Sequence, residues 1–312
     1  MSEKWSAADV PDLTGKVVVI TGANGGLGLC SARLMAGAGA TVVMACRDMQ
    51  KAAAAVEAAE RDLPGARLDL RALDLGDLAS VRRFAEGFCK DYEQLHVLLN
   101  NAGVMAIPRR TTADGFEMQL GINHLGHFAL TGRLLEPLLA TPGARVVNVA
   151  SNAHKMGRLH QDDLMLERGY GKWKAYGQSK LANLLFTFEL QRRFVRAQVD
   201  AIAVAAHPGY SGTDLANVGP RMVGSSAMAW LMGIGNRWLA QAPEAGALPQ
   251  VYAAVAPGVD GGDYVGPDGI GGWRGHPKKV EARPLARDAD LGAWLWDASV
   301  ERTGVDYAAL RR

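Results

Sequence analysis

The stretch "TGANGGLG", residues 21–28, decides how the rest of the chain is read. It ends the apolar, β-branched run "KVVVIT" (16–21), which reads as a buried strand, and it opens a segment of helical period over residues 26–38. Gly22, Gly26 and Gly28 are spaced GxxxGxG, unlike the GxGxxG of the common dinucleotide turn. A glycine turn between a strand and a helix still gathers unpaired N–H groups and the positive end of a helix dipole at one point, which suits a phosphate. Gly22 permits the sharp turn. Gly26 and Gly28 let backbone approach a pyrophosphate and the helix approach the sheet. A tight turn without a ligand is the alternative, so the loop must be judged with its neighbours.

Outward from the loop, apolar runs alternate with helical periods, the rhythm of βαβ units around a parallel sheet. "TVVMAC" (41–46) reads as the second strand and residues 49–61 as an alanine-rich helix closed by Pro64. "LDLRALD" (68–74), a helix over 78–88 and "LHVLLN" (95–100) follow. The middle helix is expected over about 113–139, then "ARVVNVAS" (144–151), an irregular stretch to Lys174, a helix over 175–196, and "VDAIAVAA" (199–206) completing the sheet. In the Gly/Pro-punctuated remainder, Leu291, Trp294, Leu295 and Ala298 share helical spacing. The expected fold is α/β, a single-domain Rossmann fold over residues 14–312 with a doubly wound parallel sheet and helices on both faces, after an N-terminal arm (1–13).

Composition narrows the function. With 312 residues, 48% of them hydrophobic, one large core can be buried, and a net charge of +2 without a basic block gives no footprint for nucleic acid. A small-molecule substrate is favoured. Cys30, Cys46 and Cys89 are far apart and form no CxxC pair, which suggests reduced thiols. The N-terminus lacks a signal-peptide core and no stretch approaches the roughly 18 apolar residues of a membrane span, so a cytoplasmic protein with no integral membrane segment is expected.

Further motifs fall at predicted strand ends or on the helix after one, where open α/β sheets bind ligands. They are "NNAG" (100–103), "YGQSK" (176–180) and "HPG" (207–209). TGxxxGxG, NNAG, a serine ahead of YxxxK, and PG followed by threonine resemble, in this chain order, the short-chain dehydrogenase/reductase family. "NHLGHF" (123–128), "YGQSKLAN" (176–183) and "HPGYSGTDL" (207–215) are further similar to the branch holding retinol dehydrogenases, WW-domain oxidoreductases and protochlorophyllide reductases. The resemblance covers nearly the whole chain. It implies a nicotinamide cofactor and hydride transfer at a hydroxyl/carbonyl carbon.

The residues supply matching chemistry. Tyr176 and Lys180 are four apart and share a helix face. A tyrosine titrating near pH ~10 is a poor proton carrier at neutral pH, and the nearby ammonium is expected to favour the phenolate. The resemblance implies that Lys180 also holds the ribose hydroxyls and that Ser151 orients the substrate oxygen beside Tyr176. Ala150 stands where many members carry the first of two serines. The span from Ser151 to Tyr176 is longer than is usual in the family, so residues 152–174 are expected to fold out of the way. Asn123 matches the asparagine that perturbs the middle helix and holds a water of the proton relay. Leu27 joins Gly22, Asn24, Gly26 and Gly28 in the phosphate turn, Asp74 and Leu75 are expected at the adenine, Asn101 to brace the strand ends, and Pro208, Gly209 and Thr213 to line the nicotinamide.

The cofactor expected is NADP(H) before NAD(H). At the end of "TVVMACRD" the acidic position of NAD enzymes is held by Cys46, and the next residue, Arg47, offers a guanidinium suited to a 2′-phosphate. Asp48 reads as a helix N-cap. His124 and His127 have HxxH spacing, but no Cys/His cluster accompanies them, so packing is expected and no metal. Residues 222–241, rich in Met and Trp, read as a lid over a hydrophobic substrate, a core helix or a helix on a membrane surface. A homodimer or homotetramer follows the family habit, with a monomer left open. Competing functions are a non-catalytic NADP(H)-binding regulator, and a hydrolase or lyase on the same fold.

Overall fold

The computed structural model describes residues 4–209 and 242–311. Strands β1 (Val17–Thr21), β2 (Thr41–Cys46), β3 (Arg67–Ala72), β4 (Val97–Asn100), β5 (Ala144–Val149) and β6 (Ala201–Ala206) lie parallel, joined to β7 (Tyr264–Pro267) and β8 (Pro277–Lys279) in the order 3-2-1-4-5-6-7-8. β7 runs parallel to β6, and β8 pairs antiparallel with β7. The order reverses between β1 and β4, the crevice where such sheets bind ligands. The sheet is therefore not completed by β6. β7 and β8 were not expected from the sequence, because segments of four and three residues set among Gly and Pro are too short to show a period.

Alternation along each strand builds two cores. Val19, Val43, Leu98, Val146 and Ala203 face one side, and Val18, Ile20, Met44, Leu99 and Val204 face the other. Helices α1 (Gly26–Gly37) and α2 (Met49–Asp62) lie between the first three strands in the chain, and α3 (Leu78–Asp91) follows β3. Asp48 N-caps α2 through Lys51 N at 3.0 Å. Trp5, in the expected N-terminal arm, packs edge-on against Tyr252 with ring centroids 5.3 Å apart.

The middle helix is shorter and more broken than its pattern suggests. Residues 111–117 form a turn closed by a Thr111–Glu117 bridge, with Gly115 at φ 83°, and the buried Glu117 carboxylate then caps Gln119 N and Leu120 N at 3.0 and 2.8 Å. Helix proper begins at Met118, passes through a π-helical turn at Gly121–Leu125, and continues as α4 (Gly126–Arg133) and α5 (Leu135–Leu139). Gly126 lies against the Leu75 carbonyl, where a Cβ has no room.

Helix α6 (Lys172–Arg196) crosses the sheet behind β5, and α7 (Pro243–Val255) packs on α1. Helix α8 (Ala289–Thr303) and the C-terminal Tyr307 close over α4 and α6. Trp296 and Tyr307 meet the Phe128 ring at 5.1 and 4.9 Å, and the Arg193 guanidinium sits 4.1 Å from the Trp296 ring centroid.

Residues 152–174 do not fold out of the way. Leu164 and Leu166 are buried, His160 N donates to Gln178 Oε1 at 3.0 Å, and Gln178 Nε2 donates to Leu164 O at 2.9 Å. Tyr170 donates to Ile107 O and accepts from Gln119 Nε2, both at 2.9 Å. Apolar side chains and unpaired backbone groups in this stretch find their partners on α6 and the middle helix, so it docks there.

Candidate active site

The glycine turn is held in shape from below. Thr21 Oγ1 receives Asn101 N and Ala102 N, both at 2.9 Å, and lies 2.9 Å from His127 Nε2. Asn101 Nδ2 donates to Thr21 O at 2.8 Å, and its Oδ1 accepts from Gln250 Nε2 at 3.1 Å. These bonds tie the end of β4 to the end of β1. Gly22 and Gly26 have φ of 68° and 51°, the left-handed region. A Cβ on Gly28 would collide with the Gly22 carbonyl and stand 2.6 Å from Asn101 Nδ2. The turn thus lies close on its own backbone and delivers α1's first N–H groups beside it, a cradle suited to a pyrophosphate.

Cys46 lies beneath this turn. Burial pushes its thiol up to about 11, and the nearby backbone amides of Ala23 and Asn24 oppose part of that rise. Leu27 offers its carbonyl to Gln250 Nε2 at 3.5 Å. Arg47 is exposed at the β2 end and meets no carboxylate among the described residues. The Lys51 ammonium lies on the same side, 3.4 Å from where a Gly25 Cβ would stand.

Across the crevice, Ser151 follows β5 and Tyr176 and Lys180 lie on α6. Tyr176 is 6% exposed, and the Ser151 hydroxyl lies near enough to its phenol to favour the phenolate slightly. Lys180 Nζ donates to Val149 O at 2.9 Å and stands 5.8 Å from the Tyr176 ring centroid. Among the described residues this is the lysine's one hydrogen bond, so two of its three N–H groups are left for a ligand. Gly103 keeps the adjacent space open, since its Cβ would stand 3.7 Å from Lys180 Nζ.

The electrostatics run opposite to the sequence expectation for the tyrosine. Burial pushes the Tyr176 phenol up to about 12, and the Ser151 hydroxyl only partly opposes it. Lys180, also buried, is itself lowered to about 8. Removing both groups from water penalises both charged forms, and an ammonium turned to a carbonyl oxygen does little for the phenolate. The chain's own groups therefore hold Tyr176 as a proton donor.

Asn123 sits in the π-helical turn. Its Oδ1 accepts from Val104 N at 2.8 Å, and its Nδ2 donates to Val104 O and Ser179 Oγ, both at 2.9 Å. Both amide hydrogens are spent in joining the segment after NNAG to α6, and the Oδ1 oxygen accepts one bond. Its main-chain carbonyl meets His127 Nδ1 at 3.1 Å. Asp74 Oδ1 accepts from Gly76 N at 2.8 Å, and Leu75 is buried against Gly126. Gly209, at φ 69°, follows Pro208 and lies against the Trp273 carbonyl. Thr213 and residues 222–241 lie outside the described residues. His124 and His127 are buried in packing, with His124 Nε2 2.9 Å from Ser299 Oγ, and burial lowers them to about 3 and about 4.

Sequence reading passed over Thr21, which has the most bonds at the turn, and Gln250. Thr21 was within the quoted stretch, but its bonds run to residues about eighty positions away. Gln250 gave no signal.

Known proteins resemble this chain in sequence and fold. The family pattern described as short chain dehydrogenase matches residues 16–221. Human retinol dehydrogenase 12 is 42% identical over 297 residues, covering 95% of this chain and 88% of the relative. Human retinol dehydrogenase 11 is 40% identical, covering 94% and 87%. The crystal structure of an uncharacterized protein from Mycobacterium paratuberculosis is 44% identical with a TM-score of 0.80, covering 97% of this chain and 99% of that one. The match runs from the glycine turn through the Tyr176–Lys180 helix, and on it the chain belongs to the short-chain dehydrogenase family, oxidoreductases that act on CH–OH or C=O groups with NAD(P).

Proposed function

We propose that the protein transfers hydride between NADP(H) and a hydrophobic alcohol/carbonyl pair, with Tyr176 as acid/base, Ser151 orienting the substrate oxygen and Lys180 holding the cofactor. The observation that carries this reading is the buried Tyr176, with the half-buried Ser151 hydroxyl near its phenol, beside the two uncommitted N–H groups of Lys180. The glycine turn with Gly22, Asn24, Gly26, Leu27 and Gly28 would hold the pyrophosphate, and Lys180 the ribose. Asp74 and Leu75 would lie at the adenine, and Pro208 and Gly209 at the nicotinamide. The bound nicotinamide supplies or takes the hydride. Tyr176, kept protonated by burial, gives its proton to the carbonyl oxygen as charge develops there, and the reverse transfer serves alcohol oxidation. Asn123 would hold a water linking Lys180 with solvent.

The substrate character rests on the surroundings of Tyr176. Trp173, 44% exposed, stands edge-on to the Tyr176 ring at 6.1 Å, and the Met156 side chain lies against Gly177. Trp273, whose carbonyl adjoins Gly209, is 55% exposed. Large apolar side chains left exposed beside polar catalytic groups suit an apolar substrate. The retinol dehydrogenases among the relatives point to the same substrate class. The test is NADPH consumption by the pure protein with retinal, straight-chain aldehydes, ketones and quinones. Turnover favouring the bulky apolar carbonyls is expected. Tight NADPH binding without consumption would replace this reading by that of a cofactor-binding regulator.

A pH profile gives a second check. With Tyr176 near 12 and Lys180 near 8, the phenol stays protonated across the working range, while the ammonium is lost as pH rises through about 8. Carbonyl reduction should hold a plateau in kcat/KM below that value and fall above it. Lys180→Arg, whose guanidinium does not titrate there, should remove the alkaline fall whatever its absolute rate. A wild-type profile flat to pH 10 would count against the role given to the ammonium.

A further inference from the structure

His154 is fully buried three residues after Ser151, in the 3-10 turn Asn152–Met156, and the chemistry described so far does not use it. Its backbone N–H and its ring Nδ1 both reach Ser151 O, at 3.0 and 2.6 Å. A carbonyl can only accept, so Nδ1 carries the proton. On the other side of the ring, Arg283 N lies 3.3 Å from Nε2. A backbone N–H can only donate, so Nε2 carries a lone pair. The two partners allow a single protonation state, the neutral Nδ1–H tautomer.

The contacts around the ring fix its place. The Tyr264 ring of β7 stands edge-on to it at 5.6 Å and is itself 5.2 Å from the His207 ring. The Arg283 guanidinium donates to Lys155 O and Gly157 O at 3.0 and 3.1 Å, holding the far end of the same turn. Burial keeps His154 below its ordinary range, consistent with the neutral form.

We infer that His154 is a positioning residue for Ser151: by donating from Nδ1 to the Ser151 carbonyl it fixes the peptide plane after the serine, and so the direction in which the hydroxyl meets Tyr176 and the substrate oxygen. The chain needs such a clamp at this point. Ala150 N is the last sheet amide, bonded to Ala206 O at 2.8 Å, and Ser151 lies beyond the ladder. Its own hydroxyl receives Ala153 N at only 3.2 Å. The two bonds from His154 to one carbonyl stop the rotation that those contacts leave free. This inference rests on the role proposed for Ser151.

Asparagine and glutamine at this position separate the tautomer argument from simple packing. His154→Asn would put an amide N–H near the place of Nδ1, whereas the longer side chain of His154→Gln would carry its amide to the place of Nε2, and both leave a similar void against Tyr264. Ser151→Ala and the double variant S151A/H154Q complete the set. The readouts are kcat and KM for aldehyde reduction, NADPH Kd and Tm. H154N should keep kcat within about threefold of wild type and H154Q should lose at least about tenfold, with NADPH Kd unchanged in both. The double variant should be no slower than S151A, because a residue acting through the serine adds nothing once the hydroxyl is gone. Equal kcat for H154N and H154Q, a loss confined to NADPH Kd, or a double variant well below S151A would overturn the inference. S151A at the wild-type rate would instead remove the proposed role of the serine on which it rests.

Discussion

Replacing Tyr176 by phenylalanine is expected to cut turnover at least ~100-fold while NADPH binds as before, the ordinary loss when a general acid is removed. The ring would stay where it is, because Trp173 packs edge-on to it and the residue is almost wholly buried. Only the phenol oxygen goes, and with it the transferable proton. Lys180 should be undisturbed, since its ammonium is anchored on Val149 O and not on the phenol. Cofactor affinity, read by nucleotide fluorescence, therefore separates this variant from Lys180→Ala, which should weaken binding and turnover together. A Tyr176→Phe enzyme with near wild-type kcat on any good substrate would show that the proton comes from elsewhere.

The direction of that proton was the part of the site least visible in the sequence. Four-residue spacing is enough to put Tyr176 and Lys180 on one helix face, because 3.6 residues make a turn. What a neighbour does to a pKa depends on where the charged atom points and how much water is left. Here the ammonium turns to a strand-end carbonyl and burial dominates both groups. Strands β1, β2, β4, β5 and β6 were legible because each is a run of apolar or β-branched residues buried on both faces, next to a helical period. β7 and β8 carry no such run. The same limit hid the clamp on Ser151, since Arg283 lies 129 positions beyond His154 and only β7 and β8 bring that segment back across the sheet.

The docking of residues 152–174 links fold to site. Sequence length alone marked this stretch as additional chain, and additional chain is usually looped away from a core. Tyr170, Leu164 and Gln178 instead fasten it to the middle helix and α6, the elements that carry Asn123, Tyr176 and Lys180. It follows that substitutions at Tyr170 would be felt in the segment after NNAG through Gln119, whose Oε1 accepts Ala106 N at 2.8 Å.

NADP(H) is expected to bind about ten to a hundred times more tightly than NAD(H), and Arg47→Ala to erase most of that gap. The β2 end supports the preference in three ways. Cys46, at the position where a carboxylate would select the ribose 2′-hydroxyl, is buried, its thiol pushed up to about 11, and presents no negative charge. Asp48, the nearest carboxylate in sequence, accepts Lys51 N at 3.0 Å as the cap of α2. Arg47 is exposed between them, a planar donor set that fits a phosphate. A hydrogen bond to a charged group is worth roughly 1.5–3 kcal/mol, which corresponds to about ten- to a hundred-fold in Kd. The measurement is a pair of dissociation constants for the two cofactors at fixed ionic strength, in the wild type and in Arg47→Ala. Equal wild-type affinities would sink the assignment of NADP(H). A large preference surviving in Arg47→Ala would move the phosphate contact to Lys51, whose ammonium lies beside Gly25 on the same edge of the turn, and Lys51→Ala would then be the variant that loses it.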